Sequence, residues 1–236
     1  MKKGNLFLFI AFVLFVFSLT ACVPQSTLQI EEHPIKRMNT PVEGNREDIL
    51  AKHQAERSIS ALSFSPPITL GSDTINVVEN FSGKFASVDV FCNDELEISI
   101  DAGVISPINN YRGIWVVDEH WVMEVAHVEE DPADPNAAFI IWGEIFHDGE
   151  SINEKYGYDE AFNFQILNGK PFFFFRKGGE IGFSYDEVET ALEYTEIPHY
   201  MCCSASAFNP LAAENMVAFY ASKGEQDYYV EIGAFE

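Results

Sequence analysis

Positive charge is what this chain has least of. Fourteen lysines and arginines face 37 aspartates and glutamates, for a formal net charge of -23. A field of that sign repels phosphate, which excludes a nucleic acid partner and gives the body no electrostatic attraction to anionic headgroups. Cysteine is scarce too, at four residues in 236, so the chain is no disulfide-dense scaffold. Long apolar runs are missing after residue 19, and no extended segment repeats its apolar residues at helical spacing. Several reaction signatures are absent. Ser204 and Ser206 lack the Gly-x-Ser-x-Gly frame of a hydrolase turn, and Gly178-Gly179 has no following helix to cradle a phosphate. The acidic stretch 129–134 lacks the glycine and spacing of a calcium loop, and reads as a solvated loop.

The one long apolar run stands at the amino terminus. Lys2 and Lys3 precede a stretch that is almost wholly apolar, residues 6–19, and then the small residues Thr20 and Ala21. A charged region, an apolar region and a cleavage zone in that order make an export signal over residues 1–21. A spanning helix would need about 20 apolar residues with polar flanks on both sides. Leu19-Thr20-Ala21-Cys22 resembles the bacterial lipobox. The resemblance implies that Cys22 carries a diacylglyceryl group, that cleavage falls just before it, and that the protein is extracytoplasmic, lipid-anchored to the cell membrane or outer membrane. Acyl chains contribute about 0.8 kcal/mol per buried methylene, so two or three of them hold a protein to one leaflet. With Cys22 lipidated, Cys92, Cys202 and Cys203 remain. Outside the cytoplasm thiols tend to be oxidised, which predicts a bridge from Cys92 to Cys202 or Cys203, or a vicinal bridge between the adjacent pair.

Residues 22–64 read as a lipid-anchored linker. They mix Pro24, Pro34, Pro41 and Gly44 with polar residues and show no alternation, with at most a short helix from Asn45 to Ser58. From residue 65 to 236 the texture changes to short runs rich in Val, Ile, Phe, Tyr and Trp with turn residues between them. The runs are 75–78, 85–91, 96–100, 114–117, 121–125, 139–142, 172–175, 181–185, 216–220 and 228–232. Runs of this length and composition are strands, so the body is an all-β domain, an antiparallel hairpin meander that is propeller-like or a sandwich. Three hairpins share one plan, around Asp118-Glu119-His120, Gly178-Gly179 and Lys223-Gly224-Glu225. Asp148-Gly149, Tyr158-Asp159-Glu160 and Asn168-Gly169 are echoed by Asp186-Glu187, Tyr194-Thr195-Glu196 and Asn209-Pro210, and Asn168 and Asn209 lie 41 residues apart. That order resembles the blades of TolB-type β-propellers over roughly residues 110–236, which implies four-stranded units of about 40 to 45 residues.

Tyrosines beside carboxylates on a β scaffold suit a sugar or peptide, the rings stacking and the acids accepting hydrogen bonds. If the blades stack, Tyr158, Asp159, Glu160, Tyr194 and Glu196 gather at one edge as a ligand site, while Phe162 and Phe164 fill ordinary core positions. His199 with Cys202 and Cys203 offers only three soft ligands, one fewer than a structural metal site needs, and no elbow marks those residues as a nucleophile pair. No catalytic residue, metal or cofactor is assigned. The expected role is a surface binding or interaction module for an extracellular protein or a glycan. An exported hydrolase acting on glycan or peptide stands second, and a thiol or metal-handling lipoprotein third.

Overall fold

Paired turn residues set the strand lengths. At Asn93-Asp94, Asp118-Glu119, Asp148-Gly149, Asn168-Gly169, Gly178-Gly179 and Asp186-Glu187 both central residues adopt positive φ, the conformation whose twist matches a two-residue hairpin. A computed structural model describes residues 28–35, 67–105, 108–131, 139–200 and 209–233. Within them the chain is all-β and antiparallel apart from one bridge and one short helix. No helix among the described residues is long and apolar enough to cross a membrane.

Four meanders follow one another. The first is β2 (Ile68–Leu70), β3 (Asp73–Ser82), β4 (Phe85–Cys92) and β5 (Glu95–Val104). The second is β6 (Tyr111–Val117), β7 (His120–Glu129), β8 (Ile140–His147) and β9 (Glu150–Ser151), followed by helix α1 (Ile152–Tyr156). A single parallel bridge, Gly103 to Val128, joins the two into one eight-stranded sheet. Gly103 is required there, because a Cβ would lie 2.0 Å from the Val128 carbonyl oxygen. The third meander is β10 (Glu160–Leu167), β11 (Lys170–Lys177), β12 (Glu180–Tyr185) and β13 (Val188–Leu192). The fourth contains β14 (Leu211–Ala212), β15 (Met216–Lys223) and β16 (Gln226–Gly233), and its fourth strand is β1 (Gln29–Ile35), which pairs with β16 from Gln29 opposite Gly233 to Ile35 opposite Asp227.

The meanders pack face to face as a sandwich-like stack with three apolar layers. Ile75, Val88, Ile100, Trp121 and Met123 fill the layer between the first and second. Val122, Ile145, Phe164, Phe173 and Phe175 fill the layer between the second and third. Phe162, Phe172, Phe174, Phe219 and Ile232 fill the layer between the third and fourth. The run of four phenylalanines follows from this arrangement. Successive strand residues point to opposite faces, and β11 is covered on both, so Phe172 and Phe174 meet one neighbour while Phe173 and Phe175 meet the other.

One segment departs from the sequence reading. Residues 29–35, expected to belong to the linker, form β1 instead. Glu31, Glu32, His33 and Pro34 disguise the strand, since charged residues and proline are depleted in sheets. It tolerates them because it lies at a sheet edge, where proline's missing N–H costs no ladder bond. The export signal 1–21, the Cys22 lipidation site and the expected helix from Asn45 to Ser58 lie outside the described residues.

Candidate functional site

Between the second and third meanders a cleft of about 470 Å³ opens among the hairpin ends. Its floor is apolar, with Val122, Phe164 and Phe173 drawn from the layer beneath. Helix α1 forms one side. Ser151 caps it, the Ser151 Oγ accepting a hydrogen bond from Glu154 N at 3.1 Å, and Gly157 ends it in the left-handed region at φ 70°, where glycine has no steric penalty. That stop turns the chain so that Tyr156 and Tyr158 stack, with ring centroids 5.7 Å apart. Tyr158 stacks in turn on Phe175 at 4.6 Å, and its hydroxyl donates to Glu189 Oε1 at 2.7 Å. Burial, reinforced by the Glu189 carboxylate, raises the Tyr158 hydroxyl well above the usual tyrosine range, so it remains a proton donor. Tyr156 is the accessible member of the stack, with 39 % of its surface exposed.

Charge on the rim is lopsided. Asp118, Glu150, Asp186, Glu187 and Glu189 line the cleft against a single lysine, Lys155. His120 and His147 stand on the wall contributed by the second meander, their rings 4.9 Å apart. The β7–β8 register brings them together by placing His147 opposite Val122. His120 Nδ1 is in hydrogen-bond contact with Asp148 Oδ2, and Asp148 Oδ1 accepts from Trp121 N at 3.0 Å.

A second polar cluster is enclosed where β8 meets β10. Glu160 Oε1 accepts from Gly143 N at 3.1 Å and lies 2.8 Å from His199 Nε2, while the other oxygen lies 3.7 Å from Arg176 Nε. His199 Nδ1 contacts the Ile197 carbonyl at 2.6 Å, and the ring stacks on Phe162 with centroids 3.6 Å apart. Glu124 accepts from Phe164 N at 2.6 Å and from the Tyr200 hydroxyl. Every member has a protein partner, the pattern of a network that fixes how two sheets meet. Complete burial, with the Glu124 carboxylate next, pushes the Tyr200 hydroxyl far up.

Of the five residues expected to form the ligand site, Tyr158 alone lines the cleft. Asp159 braces a hairpin, accepting from Gly178 N at 2.6 Å. Glu160 belongs to the enclosed network. Tyr194 lies in the layer between the third and fourth meanders, donating to Glu32, and Glu196 forms an isolated bridge with Ser222. Tyr158 and Tyr194 therefore occupy different layers but matching surroundings. Each donates to a glutamate on the fourth strand of its sheet, Glu189 or Glu32, and each carries a lysine over its ring, Lys177 at 5.3 Å or Lys223 at 4.9 Å. The backbone matches as well, Asp159 N donating to Arg176 O at 2.8 Å and Thr195 N to Ser222 O at 2.8 Å.

Both nitrogens of His199 are engaged, which leaves it no free pair for a metal shared with Cys202 and Cys203; those two cysteines lie outside the described residues. Cys92, half-buried at the end of β4, has no disulfide partner among the described residues. Tyr156 lies in the same aromatic and acidic stretch as Tyr158, whereas Glu189 and the grouping of His120 with His147 and Asp148 carry no local sequence signal. The Asp118-Glu119 turn leads into β7 and the Asp148-Gly149 turn leaves β8, and it is the β7–β8 pairing between them that sets His120 beside His147. No protein-family model, curated protein or solved structure matches the chain.

Proposed function

We propose that the protein is an extracytoplasmic, lipid-anchored binding module that takes a neutral or amino-bearing saccharide in the cleft between its second and third meanders. The observation that carries this reading is the cleft itself, an apolar floor beside the partly exposed Tyr156, which stacks on Tyr158 and carries Lys155 Nζ 5.3 Å from its ring centroid, beneath a rim of five carboxylates. Its volume falls within the range of small-ligand sites, about 300 to 1,000 Å³. An aromatic face receives the apolar face of a sugar ring, and carboxylates accept from its hydroxyls or from an ammonium group. The same rim repels anionic glycans and nucleic acid. Glu160, the acid an exported hydrolase reading would favour, is absent from the cleft lining and already held by Gly143, His199 and Arg176, which favours binding over turnover.

The leader and Leu19-Thr20-Ala21-Cys22 support the anchor. The matched settings of Tyr158 and Tyr194 support the likeness to TolB-type blades. The test is calorimetric titration of the purified protein with neutral, amino-bearing and uronic-acid oligosaccharides. Saturable binding of the first two classes, weakened at least tenfold by Tyr156→Ala, is expected. Binding confined to uronic acids, or indifferent to Tyr156→Ala, overturns the reading.

A further inference from the structure

The two histidines on the cleft wall stand beside the Asp148 carboxylate. One donor atom from each of His120, His147 and Asp148 falls within 4.8 Å of the other two. Two imidazole nitrogens and one carboxylate oxygen form a donor set that suits a borderline transition-metal ion, whereas calcium and magnesium prefer oxygen alone.

Local structure holds the three residues in place. His120 begins β7 and His147 ends β8, and the register between those strands keeps both on the hairpin end that borders the cleft. Asp148 sits in the left-handed region at φ 47° in the turn between β8 and β9, with its backbone N–H donating to Trp121 O at 3.0 Å and its Oδ1 accepting from Trp121 N at 3.0 Å. The carboxylate is thus oriented from the backbone, as second partners of metal ligands are. Oδ2 already contacts His120 Nδ1, so one proton links two of the three donors where a cation would link all three. Both histidines line the cleft.

We infer that His120, His147 and Asp148 form a binding site for a divalent transition-metal ion such as zinc on the wall of the cleft. Three protein ligands leave one tetrahedral position open, and that position is available to a water or to an oxygen of whatever occupies the cleft. The inference does not rest on the saccharide reading, because the metal alone is the probe.

Calorimetric titration of the purified, metal-free protein with Zn²⁺ tests it, with Co²⁺ as a spectroscopic stand-in. One ion per chain is expected at this site, weakened at least tenfold by His147→Ala and by Asp148→Asn, both with unchanged circular dichroism. The double variant Cys202→Ser/Cys203→Ser should bind as the parent does, and the Co²⁺ complex should lack the near-ultraviolet band of a thiolate ligand. His33→Ala probes the other His-carboxylate group, Glu31, His33 and Glu231, and should leave this affinity unchanged. Loss of binding in the cysteine variant or in His33→Ala alone, or no saturable Zn²⁺ uptake, overturns the assignment.

Discussion

Replacing Gly143 by alanine tests how closely the second and third meanders approach. A Cβ at that position would lie 2.4 Å from the Ala161 carbonyl oxygen, 2.6 Å from the Tyr200 hydroxyl and 3.0 Å from Phe162 Cβ. The first of these is backbone and cannot swing aside, and the second is held by its bond to Glu124. Gly143 also donates to Glu160 and accepts from Asn153 Nδ2 at 2.9 Å, so any retreat of β8 loosens both bonds. Overpacking of a filled interior costs about 1 to 3 kcal/mol, occasionally more, and a backbone obstacle places this substitution near 3 kcal/mol. For a domain of this size that corresponds to a fall of about 6 to 12 °C in Tm. Thermal and urea unfolding followed by tryptophan fluorescence read the change directly. Gly71→Ala is the control. Its φ of +61° is strained for a side chain, but nothing lies within 4 Å of the added carbon, so about 1 kcal/mol is expected. A loss below 1 kcal/mol for Gly143→Ala, or an equal loss in the control, would refute the close approach and with it the rigid seating of the two cleft walls.

Two other perturbations probe polar contacts. Burial acts to raise the Glu144 carboxyl, but the His127 imidazole 2.8 Å away and a hydrogen bond from Ser151 outweigh it and hold the group below its ordinary 4.5. A depressed folded value contributes stability above pH 4.5 that is lost as the pH falls through the folded value. Glu144→Gln should therefore be the less stable protein at pH 7, with the gap narrowing in acid; a gap constant from pH 7 to pH 3 in urea unfolding sinks this account. Tyr194→Phe removes the bond that ties β13's neighbour segment to Glu32 on β1. Because Glu32 is partly exposed and keeps Lys223 at 2.9 Å, the cost is about 1 kcal/mol, and faster hydrogen exchange confined to β1 and β16 is the expected signature.

The body announced itself because its strands are short, aromatic and separated by residues that accept positive φ. The hairpins around 118–119, 178–179 and 224 are legible for that reason. What hid β13, Val188–Leu192, is that Val188, Glu189 and Ala191 are all exposed, on both faces of the strand, which gives little apolar contrast. Helix α1 is only five residues long, too short for a periodic pattern, and its cap carries the signal instead. The site was harder. Tyr158, Asp159 and Glu160 are adjacent in sequence, yet the bend that leads into β10 sends them to the cleft, a hairpin brace and an enclosed network. Conversely, His120 and His147 are far apart in sequence and meet only through a strand register that the intervening acidic stretch 129–134 obscures.

The pairing of β1 with β16 has a consequence for the order of assembly. Gln29 is among the first described residues to be synthesised, and its partner Gly233 among the last. Contacts of such sequence separation form slowly, so the final sheet stays a strand short until the whole chain exists. A ribosome-stalled or truncated product would present β1 as an unpaired edge, a template for a neighbouring chain's β16, and exchange of this strand between two copies is the misassembly most available to the protein.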